Sequence, residues 1–301
     1  MLASDLTKTR TVLLERPGLA NAAPLERDDR DPVALHLGAH PMSSDRLNAP
    51  SFELTNSGAS ALVESTFIPQ RYEPNYPYPL LALFHGRGGD EQQMVRSMPA
   101  MSWRNYVGLS LRGPEPWVRR GRVEGYGWGS SFARPDRMSP RCAPTVPEAE
   151  VLRRRLYDNA PDPIDTLEDG VFSAIRQTRR ALHVHSERIF LVGVGEGAAV
   201  AYRLGLSYPE RFAGVVAING WLPGGFRPLG RLKACRELRI LVVHGEWNAR
   251  IPVRSTRRDV AALRAGGLQV AFQSYPCAHR ITSPMLSDVD TWLINHCTAE
   301  L

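Results

Sequence analysis

Arg188-Ile189-Phe190-Leu191-Val192-Gly193-Val194-Gly195-Glu196-Gly197-Ala198-Ala199-Val200-Ala201 is the stretch whose reading decides the fold. An apolar, β-branched run passes into a turn of small residues and then into a helix. A turn that sharp brings the strand and helix backbones too close together for side chains on its flanks. Gly193 and Gly197 fill those two flanking places. The apex is Gly195, and Glu196 opens the helix.

The same alternation runs outward from this turn in both directions. Upstream, Pro79–Phe84 is a short continuous apolar run ending at His85-Gly86, as suits a strand buried on both faces of a parallel sheet. A further strand is predicted over residues 61–68, and a proline-rich link over 69–79. A helix follows over 92–98 and a strand over 106–111. Residues 112 to about 147 read as a long irregular stretch carrying Trp117, Tyr126 and Trp128. Leu167, Val171, Ile175 and Leu182 then recur with helical spacing. Downstream, strands are expected at 188–192, 214–218, 239–243 and 269–274, and helices at 198–207, 253–265 and 284–295. Strands alternating with helices of this length imply an α/β fold, with a mostly parallel central sheet and helices on both faces. Residues 1–50 are rich in Pro, Asp, Arg and Asn, with two short apolar runs at 11–14 and 33–37. They read as an arm that packs on a single domain spanning 51–301.

Composition narrows the classes of function. The chain has 301 residues, of which 43% are hydrophobic and 23% charged, so wholesale disorder is not expected. The net charge is +6, and all 37 basic residues except Lys8 and Lys233 are arginine. They are scattered and form no stripe, so no nucleic-acid partner is expected. Cys142, Cys235, Cys277 and Cys297 occur singly, without a C-x-x-C pair or metal-ligand spacing. No metal and no cofactor is expected, and reduced thiols fit a cytoplasmic protein. The N-terminus has an early acid, Asp5, and no apolar core, so it does not read as a secretory signal. No apolar run approaches the roughly 20 residues of a membrane span. A protein partner, if there is one, leaves no mark in the sequence.

A strand, a glycine-flanked turn and a helix are the setting of a nucleophile elbow, G-x-S-x-G. Four further segments follow in the order that setting demands. They are His85-Gly86-Arg87-Gly88-Gly89-Asp90-Glu91, then Tyr208–Gly214 with Ile218-Asn219-Gly220, then Val243–Pro252, then Tyr275-Pro276-Cys277-Ala278-His279-Arg280-Ile281. On these residues the chain resembles the phospholipase/carboxylesterase branch of the α/β-hydrolases, from about Pro79 to Trp292. The resemblance implies the α/β-hydrolase fold and a serine-type carboxylic ester hydrolase. It places the triad at positions 195, 248 and 279. It also implies an oxyanion-side loop at Gly86 and Arg87 that works with the amide of Glu196. The aromatic stretch with Trp117, Tyr126 and Trp128 would lie over the pocket mouth, where Trp128 would touch ligand.

Two triad positions depart from the pattern. Gly195 has no Oγ, so no acyl-enzyme can form there. Asn248 stands where H-G-x-x-D-x-x-V-P has its aspartate, and a neutral amide does not stabilise an imidazolium as a carboxylate does. His279 is then a base without a nucleophile. Glu196 is one position late for a nucleophile, and nothing in the sequence activates Cys277. His85 and His244 read as structural. The expected function is a non-hydrolytic pseudoenzyme that binds a small acyl-like or apolar ligand, or a partner. The alternative is an active ester hydrolase that uses His279 with water or with an unrecognised nucleophile. A third reading is an assembly role through the N-terminal arm.

Overall fold

Apolar runs that read as buried on both faces become neighbouring strands of one sheet. The computed structural model describes residues 51–52, 62–132, 163–223 and 232–298. In chain order its strands are β1 (Ser51–Phe52), β2 (Glu64–Phe67), β3 (Tyr78–Phe84), β4 (Val107–Leu111), β5 (Glu115–Arg119) and β6 (Arg122–Gly127). These are followed by β7 (Val184–Val194), β8 (Gly214–Ile218), β9 (Arg239–Gly245) and β10 (Gln269–Tyr275). Eight of them form a sheet in the order β1-β2-β4-β3-β7-β8-β9-β10. The pairs from β4 to β10 are parallel, and β1 and β2 join antiparallel at one edge.

Alternate side chains of each strand enter two separate cores, as the two-residue period of a strand requires. Leu80, Ala82 and Phe84 face one side. There they meet α2 (Pro163–Ala181), α3 (Glu196–Ser207) and α5 (Val253–Ala265) through Leu167, Val171, Val200 and Val260. Leu81 and Leu83 face the other side. There α1 (Glu91–Met101) and α6 (Ser283–Thr298) close over them with Met94, Met98, Met285 and Leu293. Between α3 and α5 stands one short helix, α4 (Leu232–Cys235). Each fully buried Leu or Phe in these layers stabilises the fold by about 1.5–3 kcal/mol. The expected α/β architecture with helices on both faces is what forms.

The sequence reading needs one correction, in the stretch read as irregular from residue 112. Its first part is an antiparallel hairpin, β5 with β6, followed by a 3-10 turn at Ser130–Phe132. What orders the hairpin is backbone pairing to the loop after β3. The Gly88 N–H donates to the Tyr126 carbonyl at 2.8 Å, and the Tyr126 N–H to Gly89 at 2.9 Å. The Arg112 guanidinium lies 4.7 Å over the Tyr126 ring and forks onto the buried Glu91 carboxylate at 2.5 and 2.6 Å. The helix expected from residue 92 is capped by Asp90, whose Oδ1 accepts the Gln93 N–H at 2.7 Å. It runs on through Pro99 to Met101. The N-terminal arm, Cys142 and the stretch 133–147 lie outside the described residues. Among the described residues no helix is long and apolar enough to cross a membrane.

Candidate functional site

The carboxyl ends of β3, β7, β8, β9 and β10 lie side by side, and the loops leaving them carry the candidate residues. This edge is where open α/β sheets place their ligands. The central feature is the turn from β7 into α3. Gly195 has φ 55° and ψ −114°, a strained conformation that side chains rarely adopt. Its N–H donates to the Ile218 carbonyl at 2.9 Å, which holds the apex against β8. A Cβ on Gly193 would collide with the Gly197 backbone, and one on Gly197 with the Phe84 and His85 carbonyls. The flanking glycines are therefore enforced by close approach. The apex is different. A Cβ on Gly195 would stand 3.8 Å from the Gly86 Cα and 3.9 Å from both Cε1 and Nε2 of His279, at ordinary contact distance.

His279, half-buried after β10, meets Asn248 from the loop after β9. The Asn248 Nδ2 donates to the His279 Nδ1 at 2.9 Å. Asn248 is itself held on both sides. Its Oδ1 accepts the N–H groups of Arg250 and Ile251 at 3.1 and 3.0 Å, and its Nδ2 also reaches the Asn219 Oδ1 at 3.3 Å. Asn219 follows β8 with φ 49° and is 1% exposed. Its Oδ1 also accepts the Gly245 N–H at 2.9 Å, and its Nδ2 donates to the Arg280 carbonyl at 2.9 Å. One buried amide thus ties the β8, β9 and β10 loops together. Sequence reasoning gave Asn219 no role. The available signal was an asparagine at a strand end, a residue type that tolerates the left-handed region.

A second cluster surrounds the loop after β3. The His85 ring is fully buried, with Nδ1 donating to the Gly86 carbonyl at 2.8 Å and Nε2 accepting the Gly113 N–H at 2.9 Å. Burial lowers its pKa, so the ring is a neutral bracket for the loop. The Trp128 indole N–H donates to the His85 carbonyl at 2.8 Å. The residue is 2% exposed and packs edge-on to Phe84, so it supports the loop from within the core. Arg87, half-exposed, lies over the Trp117 ring at 4.7 Å, with its Nε 3.9 Å from the Glu196 Oε1. Glu196 is 2% exposed, and its Oε2 accepts the Trp128 N–H at 3.3 Å. Its Oε1 has no hydrogen-bond partner. Burial pushes its carboxyl above the usual range, against the opposing pull of Arg87 and the Trp128 N–H.

The other residues weighed from sequence fall into structural places. In His244, fully buried, the Nε2 donates to the Ile251 carbonyl at 2.8 Å, which braces the loop that carries Asn248. Cys277 is buried, and burial pushes its thiol up, away from the reactive thiolate. Cys235, Cys277 and Cys297 are buried, and none of them is in a disulfide. Among the described residues no three His, Cys, Asp or Glu side chains converge on a point where a metal could sit. Gly195, Gly86, His279 and Asn248 are therefore brought together, with the first-turn amides of α3 beside them, since those amides have no carbonyl four residues back. Among the described residues the arrangement sets an imidazole beside a glycine at the apex and an asparagine amide behind the ring.

Residues 161–297 match the family described as phospholipase/carboxylesterase. NocK of Nocardia uniformis subsp. tsuyamanensis, named as an esterase, is 26% identical over 170 residues, which cover 56% of this chain and 39% of NocK. A carboxylesterase of Oryza sativa subsp. japonica whose name describes it as inactive is 24% identical over 149 residues, 44% of this chain and 61% of its own length. The chain spans less than two thirds of these curated relatives. Among solved structures, a carboxylesterase from Mesorhizobium loti superposes with a TM-score of 0.57 at 18% identity, over 81% of this chain and 98% of that one. The order of strands, the turn at Gly195 and these likenesses agree: the chain has the α/β-hydrolase fold, and residues 161–297 are similar to the phospholipase/carboxylesterase family.

Proposed function

We propose that this chain is a non-hydrolytic α/β-hydrolase homologue whose strand-end site binds a small acyl-like or apolar ligand without cleaving it. One observation carries this reading. The apex residue has room for a side chain 3.9 Å from the His279 Nε2, and it has none. Without an oxygen there, the covalent half of ester hydrolysis has no starting point. Asn248 behind the ring adds to the argument, because its amide donates where a triad carboxylate would accept. The Gly86–Arg87 loop, the Glu196 amide and His279 supply the polar groups of the site. A rice relative whose name describes it as inactive supports a loss of hydrolysis within this group of proteins. In this chain the buried thiols of Cys235, Cys277 and Cys297, none of them in a disulfide, suit the cytoplasmic compartment expected from sequence.

The test is an assay of the purified full chain on short-chain nitrophenyl esters, beside His279→Ala. The expected result is no turnover above buffer for either protein. Turnover that disappears with His279→Ala would overturn the proposal and leave an enzyme that uses His279 with water or another nucleophile.

A further inference from the structure

We infer that Asn219 and Asn248 lock His279 with its proton on Nε2, so that the site recognises an acceptor oxygen, carboxylate or carbonyl, and does not deprotonate a hydroxyl. This rests on the non-hydrolytic reading of the site and adds the chemistry of what it takes.

The argument is a chain of hydrogen-bond directions, each anchored to backbone. The Asn248 Oδ1 accepts two backbone N–H groups, from Arg250 and Ile251. Its other end is therefore the amide nitrogen, and that end faces the His279 Nδ1 and the Asn219 Oδ1. Turning the Asn248 amide over would set its NH2 against both backbone donors and its oxygen against the oxygen of Asn219. Asn219 cannot turn over to compensate. Its Oδ1 accepts the Gly245 N–H and its Nδ2 donates to the Arg280 carbonyl, so both of those contacts would be inverted. A buried mismatch of this kind leaves polar groups unsatisfied, and native structures rarely tolerate it.

With a donor fixed against Nδ1, the neutral ring must accept there and carry its proton on Nε2. A triad aspartate imposes the opposite tautomer: it accepts the Nδ1–H and leaves the Nε2 lone pair facing the nucleophile. Here Nε2 is the ring atom 3.9 Å from where a Cβ on Gly195 would stand. The group presented at the apex is thus an N–H, and the amide of Glu196 at the start of α3 is a donor as well. Donors converging on one point select an acceptor. The charged groups nearby do not oppose a carboxylate. The Arg87 guanidinium lies 3.9 Å from the Glu196 carboxylate and offsets its charge.

The experiment uses the full chain with nitrogen-15-labelled histidine, and reads the His279 ring nitrogens by NMR while straight-chain carboxylates from acetate to octanoate are added. Matching methyl esters and primary alcohols form the other two arms. The expected result is an Nε2–H ring in the free protein, moved more strongly by carboxylates than by alcohols, whose oxygen is the weaker acceptor. The ester arm then tells whether charge or the carbonyl alone is read. Asn248→Asp should shift the proton to Nδ1 and weaken carboxylate binding on the order of tenfold or more, the loss expected when one charge-assisted hydrogen bond is removed. An Nδ1–H ring in the unmodified protein would overturn the inference, as would alcohols binding as tightly as carboxylates, or no carboxylate or ester moving the ring signals. None of those results touches the non-hydrolytic reading, which falls only if esters are turned over.

Discussion

The Oδ1 of Asn219 and the Nδ2 of Asn248 lie 3.3 Å apart and join two strand-end loops separated by 29 residues. The contact is favourable in one direction only. Backbone bonds orient Asn219 so that its oxygen points at residue 248, and that oxygen requires a donor. Asparagine supplies one; an aspartate at 248 would set two acceptors against each other. The two asparagines are a matched pair, and the departure at the acid position is built into the surrounding loops.

Removing Asn219 should therefore be felt by the whole fold. Asn219→Ala leaves the Gly245 N–H, the Arg280 carbonyl and the Asn248 Nδ2 each short of a partner. Each buried unsatisfied group costs about 1–3 kcal/mol. Alanine at φ 49° adds about 1–2 kcal/mol of backbone strain. Urea unfolding should show a loss of about 3 kcal/mol or more, with Asn219→Gly recovering only the strain. An unchanged unfolding midpoint for Asn219→Ala would show that the bridge does not matter.

The three glycines of the turn should respond unequally to one added methyl group. At Gly193 and Gly197 the methyl meets backbone carbonyls that belong to the sheet and to α3, which cannot move aside. Overpacking against such neighbours costs about 3 kcal/mol or more, so little folded protein is expected. At Gly195 a methyl meets only ordinary contacts, and Gly195→Ala should cost about 1–3 kcal/mol for its φ of 55° and ψ of −114°. Thermal melts of the three variants check the ranking, and Gly195→Ala as the worst of them would sink it.

The legible parts of this fold were those where local sequence and tertiary environment impose the same pattern. Strand β3 and the second half of β7, from Ile189, are buried on both faces, so they read as unbroken apolar runs, and the turn at Gly195 reads through glycines that sterics enforce. The hairpin was not legible because β5 is exposed along its whole length, contains Pro116, and takes its place from backbone bonds to Gly88 and Gly89. Trp128 sits in a segment where an aromatic could cover a pocket or support a loop, and only its bond to the His85 carbonyl decides between them. The role of Asn219 depends on which strand ends are neighbours, which no local pattern encodes.

Glu64 offers a test of pH dependence away from the site. On β2 it is 3% exposed, its Oε1 has no hydrogen-bond partner, and burial raises its pKa from 4.5 to about 7. The folded form thus holds a proton that the unfolded chain releases earlier. The stability this contributes is fully present below pH 4.5 and is lost as pH rises through about 7. Glu64→Gln should remove that dependence and be more stable than the parent at pH 8 by about 1–2 kcal/mol, after allowance for water near the sheet edge. Urea midpoints at pH 5 and pH 8 measure it, and parallel pH slopes for the two proteins would refute it.

Placing a serine at the apex is the sharpest test of the non-hydrolytic reading. Gly195→Ser has the room it needs, because its Cβ would stand 3.9 Å from the His279 Nε2. Yet a ring that carries its proton on Nε2 donates to that hydroxyl and cannot take its proton, so the single variant should stay near background. Gly195→Ser with Asn248→Asp moves the ring proton to Nδ1 and frees Nε2 as a base. In a related triad the aspartate-to-asparagine change costs about 10⁴ in turnover. Part of that gain is lost here, because the new carboxylate faces the Asn219 oxygen. The double variant should therefore exceed the single by about 10²-fold, and His279→Ala should erase the gain, since triad members act as a unit. A folded double variant that stays silent would mean that no ester reaches the apex at all.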